Sequence, residues 1–506
     1  MRILRSGRSV LVWRQDMGGA ADGAEGAEQG GPSDGRAVSG MLAPPGASDT
    51  IADPIADEGA VGAVLDSVRT FRHNYWAPLL LGLAMLFDSW DAIAVAFAMP
   101  TLSSDWHLNP LAMGYVIAAS YGGQFIGALV LGAVAERLGR MPVLIFAIAI
   151  MGLLAIGCAM APDYRTLLVL RFVQGLMVGG ASPVAITYIN ELAPTHRRGF
   201  YFGMYQMLAL GGLAIASLSS PYIIGHLGWR WMFGLGAGSV LLLPLVWATL
   251  PESPRWLART GRREAANKAL ARLGGAPAAF AASGAASGGA AMGGASPVPV
   301  ARPTKTLILF SAEFRTRTLT TTLLWFMTMF VSIGVTTWLP SIFVKVLHIP
   351  VHRSLVYAAV TSCLMEAFVP LSGVLVDRFG RRSMGWTTML VTGVPLIGLA
   401  LYLPASELVL VVLVAISQLA NLIGAFALWP YTAETYRTDV RALALGYASA
   451  VGRFSSVVTP IFVGFVLNEG GSIGIVFAGF GLCALAASAT WLLRTRETRG
   501  IRLEQV

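Results

Sequence analysis

The chain has 506 residues, of which 55% are hydrophobic and 12% charged, with a mean hydropathy of +0.65 and a formal net charge of +9. Soluble domains carry about 25% charged residues, and single cores stop growing near ~250–300 residues, so one large soluble domain is excluded and lipid is left to cover the apolar surface. Nucleic acid is not read as a partner, because the basic residues sit in short loops between apolar runs and form no continuous stripe.

Residues 1–72 are rich in Gly, Ala, Asp and Glu and are expected to form a disordered cytoplasmic tail. Arg2, Arg5 and Arg8 followed by SVLVW mimic a signal peptide, but the apolar run is too short; Met17 and Met41 are alternative starts. From Pro78 onward, apolar runs of ~20 residues recur, each long enough to cross ~30 Å of hydrocarbon as a helix. Six are expected near 78–100, 111–134, 141–161, 166–190, 200–225 and 229–250, forming a first bundle over 73–250. Residues 251–318 read as a loop between bundles, with a short surface helix around the Glu264/Lys268 pair and a low-complexity linker after it. Six further runs near 319–345, 353–376, 384–404, 406–432, 442–467 and 473–494 form a second bundle over 319–494, and 495–506 is a tail.

Arginines cluster in alternate loops: Arg137 and Arg140, Arg197 and Arg198, Arg378, Arg381 and Arg382, Arg437 and Arg441, then Arg494 to Arg502. The positive-inside bias therefore places both termini in the cytoplasm; a monomer in the inner membrane is expected. Cys158, Cys363 and Cys483 fall inside apolar runs and have neither metal-ligand nor disulfide spacing. The sequence has no P-loop, nucleophile elbow or metal-ligand cluster, so no enzyme and no cofactor is expected.

An internal repeat is legible. Gly132-AVA-Glu136-Arg137-Leu-Gly139-Arg140 recurs 241 residues on as Gly373-VLV-Asp377-Arg378-Phe-Gly380-Arg381. Glu191 and Arg198 recur 243 residues on as Glu434 and Arg441. Two pairs at nearly one spacing argue for duplication. These motifs resemble those of the major facilitator superfamily, and the resemblance covers residues 75 to 495. It implies an all-α fold of twelve transmembrane helices in two pseudo-symmetric six-helix bundles, around a cavity that opens alternately to each side. It also implies that Glu136 and Asp377, with Arg137, Arg140, Arg378 and Arg381, latch the cytoplasmic ends together when the cavity faces outward. PESPRWL at 251–257 and the Arg171-Phe-Val-Gln-Gly175 stretch are similar to the sugar-porter and organic-acid branches. The seventh run lacks the Gln pair of sugar porters, and its Trp338-Leu339-Pro340 is more similar to the aromatic acid:proton symporters. So is Asp88-Ser-Trp-Asp91, where Ser89 replaces the usual Gly.

Ionisable groups at membrane depth cost several kcal/mol unless they are paired or neutralised, so they mark function. Asp88 and Asp91 lie three apart on one face of the first run and form the expected proton site, with Asp91 the main carrier. Fixed ion pairs with Arg171 or Arg453 are the alternative. Glu366 is a second proton carrier or, preferably, a neutraliser of Arg453. Arg171 and Arg453 present the planar fork that suits a substrate carboxylate. Gln174, Gln418, Asn421 and Trp338 are candidate substrate contacts, and Gln124, Gln206, Trp90, Trp325, Phe426 and Trp429 are weaker ones. The expected function is proton-coupled symport of a small organic carboxylate, with aromatic acids among the candidates, driven by the proton gradient across the bilayer. Sugar or polyol symport, drug antiport and a transporter-like nutrient receptor are the alternatives.

Overall fold

In the computed structural model, residues 54–67, 76–194, 197–278, 280, 306–345, 347–402 and 406–499 are described. The chain opens with α1 (Pro54–Ser67), followed by α2 (Trp76–Asp105), α3 (Pro110–Leu138), α4 (Arg140–Ala159), α5 (Tyr164–Leu192) and α6 (Arg198–His226). The sixth span is α7 (Trp229–Gly234), a 3-10 turn (Leu235–Ala237) and α8 (Gly238–Thr249). Then come α9 (Pro254–Arg259) and α10 (Arg263–Arg272). The second half holds α11 (Arg315–Lys345), α12 (Val351–Phe379), α13 (Arg381–Leu401), α14 (Glu407–Thr435), α15 (Thr438–Asn468) and α16 (Ile473–Arg494). Among the described residues, 12 helices are long and apolar enough to cross a membrane.

The expected spans are found, but most helices overrun them. The first run, expected over 78–100, is the 30-residue α2. Hydropathy sees only the part of a helix that lies in hydrocarbon, whereas its backbone bonds continue into the interface. Local sequence sets the ends. Asn109 caps α3 by accepting the Ala112 N–H at 2.8 Å, with Pro110 in the first turn, and Asp163 caps α5 through the Thr166 N–H at 2.9 Å.

One expectation is corrected. Residues 54–67 of the presumed disordered tail form α1, which packs on α9 and α10. Asp57, Val61 and Leu65 recur every four residues as one buried stripe, and both Asp57 oxygens bind Arg263, at 2.7 and 2.9 Å. A composition rich in Gly and Ala hides that short periodicity. Residues 1–53, 68–72 and 500–506 of the presumed tails, and 281–305 of the presumed linker, lie outside the described residues.

The two halves meet through α3 on α15, α6 on α12 and α2 on α11. The apolar cores divide along the helix axis. At the end opposite the loop motifs, residues of both halves share one core, including Phe97, Leu102, Met113, Phe233, Trp338, Ile342, Leu355 and Val463. Gly114 there faces the Pro460 backbone and Gly464 faces that of Pro110, so a Cβ at either would collide with the other half. At the end carrying the loop motifs, hereafter the motif end, the first half keeps its own core around Met85, Leu144, Tyr188 and Trp256, and the second half keeps others around Trp325, Tyr431 and Trp491. The halves are therefore sealed at one end and unjoined in their cores at the other.

Candidate functional site

Helical rise places several polar side chains in one layer. Counted from the motif end, Asp88 stands 12 residues past Trp76, Glu366 13 before Phe379, Asn421 14 before Thr435 and Arg453 15 past Thr438. At about 1.5 Å per residue they share a depth of about 18–23 Å, midway through helices of 29–31 residues.

On the first-half side, Arg171 from α5 is fully buried and committed. Its Nη1 donates to Asp91 Oδ2 at 2.5 Å and to Gln174 Oε1 at 3.2 Å, and its Nη2 donates to the Asp91 carbonyl at 3.4 Å. Phe233 lies under the guanidinium, 5.6 Å from ring centre to Cζ. Gln174, also fully buried, donates to the Met151 carbonyl and accepts from Cys158 Sγ. Neither Arg171 nor Gln174 is therefore free to hold substrate, which corrects the expectation. Buried guanidinium needs a countercharge, and Asp91 supplies it. The fixed-pair alternative is the one seen for Asp91.

Asp88 is only partly buried, and it interacts electrostatically with Asp91, Arg453 and Arg171. Arg453 from α15 shares that interaction, so its countercharge is Asp88 and not Glu366, contrary to the preferred expectation. Tyr121 from α3 and Tyr205 from α6 lie in the same field. Sequence reasoning missed both tyrosines; neither carries a charge at neutral pH, so the search for ionised groups passed over them.

On the second-half side, Gln418 Nε2 donates to Thr336 Oγ1 at 2.7 Å, and Asn421 Nδ2 to the Thr328 carbonyl at 3.4 Å. Gln418 and Thr336 line a small crevice with Phe97, Thr361, Ser362 and Met365. Glu366 is partly buried, and among the described residues no cation pairs with it. Trp338 is placed in the sealed core, 1% exposed, and not in the layer. Trp325 donates to Thr432 Oγ1 at 3.0 Å and packs edge-on against the half-exposed Trp429.

The paired loop motifs form matching clusters. Arg140 joins Glu136 at 2.8 Å and Glu191 at 3.0 Å; Arg381 joins Asp377 at 3.1 Å and Glu434 at 2.9 Å. Gly139 (φ 105°) and Gly380 (φ 93°) take the left-handed turn that lets the chain reverse, which favours glycine. A further acid in each half was missed by the motif search. Glu252 accepts the Arg140 and Met141 N–H groups at the start of α4, and Glu497 those of Arg381 and Arg382 at the start of α13. Burial lifts the Glu252 carboxyl above its usual value despite those backbone donors. Glu136 also pairs with Arg259 of α9 and accepts through its carbonyl from Trp256. All these pairs lie within one half. Arg137, Arg378 and Arg198 are exposed and Arg441 is partly buried; among the described residues Glu136 pairs with Arg140 and Arg259 and Asp377 with Arg381, and not with Arg137 or Arg378. Gly132 and Gly373 have open space where a Cβ would stand.

The family model described as "Sugar (and other) transporter" matches residues 86–506. The niacin transporter NiaP of Acinetobacter baylyi is 30% identical over 87% of this chain and 98% of its own length. The gallate transporter of Pseudomonas putida is 31% identical over 83% and 92%. The inward open structure of the xylose transporter XylE from E. coli shares the fold, with a TM-score of 0.65 at 19% identity, covering 85% of this chain and 98% of that one. The relatives and the fold are those of transporters and not of enzymes, and the chain belongs to the sugar (and other) transporter family of the major facilitator superfamily.

Proposed function

We propose that this transporter is a proton-coupled importer of small aromatic carboxylates, working as a monomer in the inner membrane without a cofactor. The arginine bias puts the motif end in the cytoplasm, and the separation of the two halves' cores there supports an inward-facing shape. The observation that carries the coupling is the four-charge layer of Asp88, Asp91, Arg171 and Arg453.

Asp91 and Arg171 neutralise each other permanently. Asp88 and Arg453 are the exchangeable couple, so the proton is assigned to Asp88 and not to Asp91. A substrate carboxylate competes with Asp88 for Arg453, and a proton on Asp88 releases Arg453 to it. These four groups are neutral together with both ions bound and with neither; either ion alone adds a net charge at membrane depth, which opposes the rearrangement. The linkage is reciprocal: the proton tightens substrate binding and substrate tightens proton binding. Two relatives that align almost end to end are named for niacin and gallate, both aromatic carboxylates, which supports the substrate class.

The test is uptake by membrane vesicles under an imposed pH gradient, with benzoates, pyridine carboxylates, aliphatic dicarboxylates and hexoses. Accumulation of an aromatic acid is expected. Asp88→Asn is expected to abolish gradient-driven accumulation while keeping substrate exchange. Accumulation of a hexose and of no acid would refute the substrate class, and full accumulation by Asp88→Asn would refute the proton assignment.

A further inference from the structure

We infer that the second-half side of the layer is a hydrogen-bond acceptor site, which selects aromatic acids carrying a donor group on the ring, with Glu366 and Asn421 as specificity-determining residues. The inference rests on the aromatic-carboxylate reading above and adds to it the far end of the substrate.

The orientation of Asn421 is fixed by its neighbour. The Thr328 carbonyl can only accept, so the amide must turn its Nδ2 toward it, leaving Oδ1 on the other side. That oxygen is buried, in a residue 1% exposed, and has no donor among the described residues. A buried acceptor without a donor is costly unless something else fills the role. Gln418 lies one turn away on α14, and its Nε2 is likewise spent on Thr336, so its Oε1 is also the atom left to accept.

Glu366 stands at the depth of Asn421, on the neighbouring α12. Ala358, Ser362 and Met365 line the small crevice beside Gln418, and Glu366 follows Ser362 by four residues, so it continues that stripe one turn toward the motif end. Its carboxyl group adds acceptor oxygens that no cation among the described residues occupies. The opposite side of the layer carries Arg171 and Arg453. The site is thus polarised: Arg453 on one side for the carboxylate, unspent acceptors on the other for O–H or N–H.

The discriminating ligands differ in donors while staying close in size. Against a labelled aromatic acid, 4-hydroxybenzoate and 4-aminobenzoate are expected to compete at least tenfold better than 4-fluorobenzoate and benzoate in the wild-type chain, because a site of buried acceptors rejects analogues that leave it unpaired. Glu366→Gln replaces one acceptor by a donor and is expected to reduce the hydroxy-over-fluoro ratio to threefold or less. Equal competition by the hydroxy and fluoro acids in the wild type overturns the inference, and so does an undiminished ratio in Glu366→Gln. Where that variant handles no acid, the ratio in Asn421→Ser decides, a collapse supporting and an unchanged ratio refuting. Accumulation of a hexose and of no acid refutes the transport reading itself, a result distinct from any of these.

Discussion

Removing Arg171 and Asp91 singly and together gives a prediction whose size follows from burial. Their side chains are 1% and 4% exposed, so water screens the pair little. Arg171→Leu leaves a buried carboxylate without a countercharge, and Asp91→Leu leaves a buried guanidinium; each is expected to destabilise by about 3–5 kcal/mol. If independent, the two would sum to about 6–10 kcal/mol. The double variant removes both charges and leaves Gln174 Oε1 short of its Arg171 donor, a loss of about 1–3 kcal/mol, and Cys158 Sγ softens it by remaining in place. The double variant should therefore be no less stable than either single one, with a coupling energy of at least ~3 kcal/mol. Equilibrium unfolding of the purified protein in mixed micelles measures all four corners of the cycle. Additivity within about 0.5 kcal/mol would refute the reasoning, since it would mean that the two groups are solvated separately and not paired.

Two other outcomes are expected. Gly373→Val should fold, because nothing lies within 4 Å of a Cβ there; on the reading that the halves close over that space when they join at the motif end, turnover should stop and a cysteine reporter at the motif end should stay permanently reactive, and normal turnover would count against this reading. Because burial holds the folded-state Glu252 above its usual value near 4.5, the folded chain retains a proton that the unfolded chain has lost, so this group's contribution to stability falls as pH rises through the window just above 4.5. Thermal unfolding across that window should be flatter for Glu252→Gln than for the wild type, and an equal slope would exclude Glu252 as the source.

The twelve spans were legible because a membrane helix must bury every backbone polar group within its own segment, so its apolar length is written directly in the chain. The loop motifs were legible because duplication printed them twice. The pairing inside the layer was not. Asp88 and Asp91 look equivalent on a helical face, and only the position of α5 decides that Arg171 takes Asp91 and leaves Asp88 to Arg453. Trp338 read as a substrate contact because an aromatic residue near a helix end has no signature telling a cavity wall from a sealed core. Glu252 and Glu497 escaped because their role is to accept backbone N–H groups more than 100 residues away, and no spacing encodes that. Helix α1 escaped because the buried Asp57, Val61 and Leu65 do not stand out from the Gly and Ala around them.

The hook between Asp57 and Arg263 bears on how the chain is made. The two residues are 206 positions apart, and all six spans of the first half lie between them. At ~5–20 residues per second, α1 emerges from the ribosome about 10–40 seconds before its partner. Through that interval its buried carboxylate and two aliphatic side chains have nowhere to dock. The contact can close only when the sixth span has been inserted and the chain has returned to the side where it began, so the hook registers that the first half is complete and correctly threaded.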